Sequence, residues 1–259
     1  MKSESELVSA ADQNFIASFR KLVEHCAEGA TRESGGIFAF ATGLPLSLFN
    51  GTVVTQPTTP AELEAALQWV SGRSIAHRAW IAEKLVTELG EIPPSHGLDR
   101  APEPYPGMVL HPPPDPPSPS AGVTVASVAG AGLDEFLDVC VEGGLPLDLA
   151  QRLFPPSFAG DPEVQLFVGR LDGRPVGTSI AIRSRDASGI YNVGTLSSAR
   201  RHGIGRALTW AAAAAGRAWG RDITVLQSTP MALPMYSDMG FRTVAPYTTF
   251  TKLAPGRND

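Results

Sequence analysis

Arg200-Arg201-His202-Gly203-Ile204-Gly205-Arg206-Ala207-Leu208 separates a strand-like run, residues 189–195, from a helical stripe built on Ile204, Leu208, Ala211, Ala212, Ala215 and Trp219. A strand that passes through glycines into a helix leaves the first backbone N–H groups of that helix without intrahelical partners, and those groups attract anions. Gly203 and Gly205 remove side chains that would hold a diphosphate away, and Arg200, Arg201 and Arg206 add positive charge. The residue chemistry points to a phosphate-bearing ligand. Two other readings fit the same string. A glycine-rich helix entry also serves as a plain tight turn. Residues 203–208 also approximate the dinucleotide fingerprint G-x-G-x-x-G, with Leu208 in place of its third glycine and Asp222 downstream where a ribose-binding acid would stand. That fingerprint opens a βαβ unit, whereas this loop comes late, after a series of antiparallel-looking strands.

Moving upstream, residues 164–171 and 174–182 are apolar runs joined by Asp172-Gly173, a strong hairpin signal. Before them come helical periods over 133–141 and 146–153 and an alternating strand over 123–128. Downstream lie a strand at 223–227, a short helical turn at 233–239, and strands at 242–244 and 247–252. The fold class is therefore α/β (α+β): a mixed, mostly antiparallel sheet flanked by helices.

The stretch 101–122, APEPYPGMVLHPPPDPPSPSAG, is too rich in proline for a helix or a central strand, and only Met108-Val109-Leu110 reads as a strand edge. It sets the expected organisation: an N-terminal α/β domain over 1–110, a linker over 111–121 and a second domain over 122–259. Within the first part, Phe15, Ile16, Phe19, Leu22 and Val23 line one face of a helix over 14–26, and residues 36–41 read as a strand. Asn50-Gly51 inside 48–54 reads as a turn or hairpin. Thr59-Pro60-Ala61-Glu62 starts a helix that runs to Val70, and 77–89 is expected as a second amphipathic helix closed by Gly90 and Pro93-Pro94.

Bulk composition narrows the partners. With 21 basic against 26 acidic residues, the chain lacks the positive surplus that nucleic-acid backbones demand. The polar N-terminus has no apolar core of a signal peptide, and no apolar run is long enough to span a bilayer, so the expectation is a cytoplasmic protein with no membrane partner. Cys26 and Cys140 stand far apart, and His25, His77, His96 and His111 are scattered, so no metal site is expected.

Taken together, Ile190-Tyr191-Asn192-Val193-Gly194-Thr195-Leu196, the loop from Arg200 to Leu208, Val225-Leu226-Gln227-Ser228, and Met235-Tyr236-Ser237-Asp238-Met239-Gly240-Phe241 resemble the GNAT superfamily of N-acetyltransferases. The R-x-x-G-x-G loop and the downstream Tyr-x-x-x-Gly-Phe are separate matches, and the resemblance covers about half the chain. It implies that acetyl-CoA is the cosubstrate, with its pyrophosphate on the amides of Arg201, His202, Gly203, Ile204, Gly205 and Arg206 and with Arg200 at the head of the same cofactor-binding loop. The pantetheine arm would insert between the strand at 192–195 and the strand at 223–227, pairing with Val193, Gly194 and Thr195. Ser228 or Thr229 would offer a hydroxyl where many relatives have asparagine. Tyr236 matches the tyrosine that protonates the departing thiolate; its alternative role is to pack against Phe241.

The implied reaction is acetyl transfer to a primary amine, on a small molecule or a protein, by direct attack without a covalent enzyme intermediate. A common family base is an acidic residue on the strand before the loop, but 189–195 holds none, and Tyr191 and Asn192 are not bases at neutral pH. This keeps open a second reading, an acyl-CoA-binding sensor without turnover. The N-terminal half looks like a degenerate GNAT-like copy, as in tandem GNAT proteins. It carries no R-x-x-G-x-G loop, so no acetyl-CoA is expected there, and its Gly43-Leu44-Pro45 turn either walls the acceptor pocket or serves structure alone.

Overall fold

The computed structural model describes residues 2–128 and 132–253. Its helices are α1 (Glu4–Glu24), α2 (Pro60–Ser71), α3 (Val86–Leu89), α4 (Ile92–Ser95), α5 (Gly132–Glu142), α6 (Leu147–Leu153), α7 (Pro156–Ala159), α8 (Ile204–Ala218) and α9 (Leu233–Asp238). Its strands are β1 (Ala30–Ser34), β2 (Ile37–Ala41), β3 (Asn50–Val54), β4 (His77–Ala82), β5 (Asp99–Arg100) and β6 (Tyr105–Leu110), then β7 (Val123–Val128), β8 (Val164–Leu171), β9 (Arg174–Arg183), β10 (Ser188–Thr195), β11 (Thr224–Gln227) and β12 (Arg242–Lys252). The strands expected at 242–244 and 247–252 are thus one. Two compact units result, and they are not the two sequence halves. The larger joins Met1–Ser18 to Met108–Val244, and the smaller joins Phe19–Gly107 to Ala245–Asp259. Residues 129–131 and 254–259 of the expected second domain lie outside the described residues.

In the larger unit the strand order is β7-β8-β9-β10-β11-β6, where β6 enters only through residues 108–110. β7 to β10 are antiparallel in turn, and β10 runs parallel to β11 because α8 makes the crossover between them. Gly177 is what lets α8 descend onto the sheet: a Cβ there would lie 2.7 Å from the Gly194 carbonyl oxygen and 2.8 Å from Ile204 Cγ2. Ile190, Ala181 and Leu226 pack on that side with Ile204, Leu208 and Ala212 of α8.

The N-terminal helix begins ten residues before the expected start, at Glu4, and its first part belongs to this unit. Asn14 is fully buried and donates through Nδ2 to the carbonyl of Ile182 at 3.2 Å and to Ser184 Oγ at 2.9 Å. Tyr191 in turn donates to Asn14 Oδ1 at 2.6 Å. The proline-rich segment 111–121 also runs with this unit, along α8. His111 Nδ1 donates to the Asp222 carbonyl at 2.7 Å, Asp115 pairs with Arg217 at 2.7 Å, and Ser120 reaches Gly203.

The smaller unit orders its strands β1-β2-β3-β4-β12, with β5 on the far edge of β12. β3 and β4 are parallel, and α2 crosses between them. This repeats the β8-β9-β10-α8-β11 path of the larger unit. Phe19, Phe40 and Trp80 build its core, with ring centroids 4.2 Å apart for Phe19–Phe40 and 5.2 Å for Phe19–Trp80.

Two expectations fail here for physical reasons. Residues 77–82 form a strand, not the first turns of a helix, with short helices following. The strand is central, its Trp80 and Ile81 are both fully buried, and a strand covered on both faces loses the alternation that would mark it. Asn50-Gly51 lies within β3 and makes no turn. A Cβ on Gly51 would fall 1.8 Å from the Arg78 carbonyl oxygen, so the glycine serves the close approach of β4. Asn50 Nδ2 donates to the carbonyls of Leu44, Leu46 and Ala76, and so ties the Gly43-Leu44-Pro45 turn to the sheet. Strand β1, mostly exposed and polar, gave no sign in the sequence.

His77 gives this unit a pH response. Its Nδ1–H donates to the Ile75 carbonyl at 2.8 Å, its Nε2 accepts from Ser71 at 3.2 Å, and burial holds its pKa below the ordinary 6.5. The unfolded chain therefore binds the proton more readily than the folded one. Stability is expected to be full above pH 6.5 and to fall as pH drops below it. Thermal midpoints measured from pH 8 to 5 should decline for the wild type and flatten for His77→Asn; an unchanged slope in the variant would assign the decline elsewhere.

Candidate active site

The parallel ladder between β10 and β11 is short. Ser188 pairs with Thr224 and Gly189 with Val225, and there the ladder ends, while β10 continues to Thr195 and β11 to Gln227. The strands part into a V, and the start of α8 stands at its mouth on the chain that leaves β10. The register of β10 against β9 also shifts between Tyr191 and Gly194, and Asn192 inside this bulge has φ +50°. Asparagine tolerates that left-handed conformation better than most residues. Thr178 of β9 pins it from below: its Oγ1 donates to the Asn192 carbonyl at 3.2 Å and accepts from Asn192 Nδ2 at 3.3 Å. The bulge leaves Asn192 and Val193 out of the β9 ladder, which resumes at Gly194–Thr178 and Thr195–Gly177, within the stretch expected to face a cofactor arm.

Asn192 Nδ2 also lies 3.7 Å from Cys140 Sγ, which brings the end of α5 to the bulge. Burial pushes the Cys140 thiol up, against smaller opposing effects of Asn192 and Thr178, so it stays protonated at neutral pH. A protonated thiol is a poor nucleophile.

At the loop, Arg201 has φ +66° and Gly203 has φ +83°, and the pair turns the chain into α8. Gly203 is the N-cap and provides no side-chain cap to the first amides of α8. Ser120 closes in beside it, since a Cβ on Gly203 would lie 2.6 Å from Ser120 Oγ. Arg200, Arg201 and His202 are exposed, and Arg206 is 3.8 Å from Asp238. His202 spends its Nδ1–H within the loop, on the Arg200 carbonyl at 2.9 Å. Ile204 is buried to 1% exposure and offers only its backbone outward. Gly205 is the cradle: the direction of its missing Cβ runs between Met235 Sδ, 3.5 Å away, and Thr195 Oγ1, 3.7 Å away. The loop, the mouth of the V at Thr195 and α9 therefore meet at one place, and a diphosphate fits that combination of bare amides, glycine and arginine.

The other two expected residues are both buried. Ser228 is fully buried, and its hydroxyl donates to the Thr229 carbonyl at 2.8 Å, leaving only lone pairs for a ligand. Tyr236 is 5% exposed and meets Phe241 edge-on, with centroids 5.8 Å apart.

Comparison with known proteins adds the family. The sequence pattern of the acetyltransferase (GNAT) family matches residues 135–241. Residues 135–241 are a GNAT domain. Among solved structures, the chain is similar to a GCN5-related N-acetyltransferase from Kribbella flavida, at 23% identity, with 96% of each chain covered and a TM-score of 0.68. It is also similar to a GCN5-related N-acetyltransferase from Sphaerobacter thermophilus, at 15% identity, covering 100% of this chain and 96% of that one, with a TM-score of 0.62. A tandem GNAT protein from the clavulanic acid biosynthesis pathway aligns at 14% identity over 96% of this chain and 98% of that one, with a TM-score of 0.59. At these identities the likeness is one of fold, and it extends over both units. No curated protein matches the sequence. Among the described residues, no helix is long and apolar enough to cross a membrane and no cluster of side chains has the makings of a metal site.

Outside the GNAT domain, the smaller unit repeats the path but not the site. Its β3 and β4 stay paired from Gly51–Arg78 to Val54–Ile81, so no V opens. At the start of α2, Thr59 and Glu62 form a capping box: Glu62 N–H donates to Thr59 Oγ1 at 3.3 Å, and Glu62 Oε2 accepts from Thr59 N at 3.0 Å. The Thr59 backbone, then the Thr59 and Thr58 hydroxyls, hold the Glu62 carboxyl below its ordinary pKa. A negative group thus already sits where the larger unit leaves bare amides.

Sequence reading gave no part in the site to Asn14, Thr178, Cys140 or Ser120, which the fold gathers around β10 and the loop. Asn14 alone left a trace, as a polar residue amid Ala10, Ala11 and Phe15 on the buried face of α1.

Proposed function

We propose that the protein is an N-acetyltransferase that moves the acetyl group of acetyl-CoA to a primary amine by direct attack. The observation that carries the proposal is the V between β10 and β11 with the uncapped start of α8 at its mouth. In this reading the amides from Arg201 to Arg206 hold the pyrophosphate, and Arg200, Arg201 and Arg206 balance its charge. Val193, Gly194 and Thr195 pair with the pantetheine arm. Bound acetyl-CoA supplies a thioester, whose carbonyl carbon accepts the amine. As the C–N bond forms and the C–S bond breaks, Tyr236 gives a proton to the leaving sulfur, and the proton that the amine nitrogen sheds passes through water and restores the tyrosine. The protonated state of Cys140 supports direct transfer over a thiol-bound intermediate. The acceptor is an amine on a small molecule or a protein, and the acidic net charge of −5 favours a cationic one.

The test is CoA release from acetyl-CoA against a panel of polyamines, amino acids, aminoglycosides and protein lysines, with acetylated product identified by mass. Tyr236→Phe retains the ring and its packing on Phe241 but lacks the proton. Turnover should fall about tenfold, because a thiol leaves readily even without help, and acetyl-CoA affinity should hold. Unaltered turnover would make Tyr236 a packing residue. Binding of acetyl-CoA without product from any amine would instead favour the sensor reading.

A further inference from the structure

The V holds a polar group that no interaction within the protein explains. Gln227 ends β11, and its side-chain nitrogen Nε2 is buried with no hydrogen-bond partner among the described residues. Buried donors are nearly always paired, so an orphan at this point calls for a ligand atom. Strand alternation fixes where it points. Leu226 packs with the α8 side of the sheet, so Gln227 faces the other way. On β10, Ile190 packs on the α8 side and Tyr191 faces opposite. Gly189 pairs with Val225, so Tyr191 and Gln227 stand two residues past the last rung, on the same face of the two diverging strands. The Tyr191 hydroxyl is taken up by Asn14, whereas the Gln227 amide is left over on the β11 arm.

We infer that Gln227 is a cofactor-gripping residue whose Nε2–H donates to an amide carbonyl of the pantetheine arm, so that the arm is held by backbone on the β10 side and by a side chain on the β11 side. The inference rests on the proposed use of acetyl-CoA. Pantetheine carries amide carbonyls along its length, and these are the oxygens a ligand threaded between the strands brings to that height. A neutral hydrogen bond of this kind changes affinity by about three- to tenfold.

The experiment uses the full chain, with CoA and 3′-phosphoadenosine 5′-diphosphate as probes; the second has the phosphates and lacks the arm. Gln227→Met preserves length and removes the donor, and Gln227→Leu does so with a different shape. Calorimetry should show CoA weakened about three- to tenfold in both variants and the nucleotide bound as in wild type. Melting of the ligand-free protein gives the complementary sign: loss of an unpaired buried donor should leave the midpoint unchanged or raise it. Unchanged CoA affinity overturns the inference, as does equal weakening of both probes, which would mark a structural defect. Wild type that fails to bind CoA at all overturns the cofactor reading and this inference with it, and is told apart from the other failures by needing no variant.

Discussion

Gly205→Glu is expected to abolish acetyl-CoA binding, with a loss on the order of a hundredfold or more in Kd. Space is not the reason. A Cβ at this position meets Met235 Sδ at 3.5 Å and Thr195 Oγ1 at 3.7 Å, both ordinary contacts, so Gly205→Ala should fold and bind with little change. The carboxylate of the glutamate variant projects from the first turn of α8 into the place proposed for the pyrophosphate. There it satisfies the free amides and repels the incoming anion at short range. The smaller unit shows such a carboxylate at a helix start, in Glu62, whose Oε2 accepts from the N-cap Thr59 N–H ahead of α2. Titration calorimetry on wild type and both variants decides the matter. Equal affinity in Gly205→Glu would remove the loop from the cofactor site, while loss in Gly205→Ala as well would point to packing and leave charge out of it.

The second large effect concerns the chain as a whole. Residues 122–259 expressed alone should not fold, nor should 1–110. The larger unit takes residues 108–110 beside β11 and the first part of α1 from before the proline-rich segment, and the smaller takes 245–252 beside β4 from after it. Each isolated half therefore exposes a sheet edge and an apolar face that the other half covers. A cooperative thermal transition, followed by circular dichroism, should be absent from both halves and return when they are co-expressed. By the same logic, protease cleavage within 111–121 of the intact protein should give two bands on a denaturing gel and one species on a native one. A folded, cofactor-binding 122–259 fragment would show that the exchanged segments are dispensable.

How much of this was legible depends on the kind of signal each residue carries. The loop at 200–206 and the strands about it were legible because a run of local rules agrees there: a glycine turn, a hairpin at Asp172-Gly173, and the helical period of α8. The strand at 77–82 was not, because burial on both faces removes the alternation that distinguishes strand from helix. Asn50-Gly51 misled because its usual meaning is a turn, while the sheet uses the glycine for an approach that only the neighbouring strand reveals. The domain boundary misled more deeply. Proline density marks where the chain is irregular, and it carries no information about which sheet the strands on either side join. In the site, the family motif supplied the residues that act through backbone. Thr178 and Cys140 meet Asn192 through contacts between elements, and Gln227 is marked only by the partner its amide lacks; no local pattern announces either.

The capping box at Glu62 has a consequence for how the two copies of the fold respond to the cell. On the proposed function, the larger unit gains stability as acetyl-CoA rises, since ligand binds only its folded form. The smaller unit carries its own counter-charge at the helix start, covalently and at all times, so its stability has no such term. One copy is thereby coupled to metabolite supply and the other is indifferent to it. Whatever part of the protein's stability follows acetyl-CoA is thus expected to enter through the V and the first turn of α8.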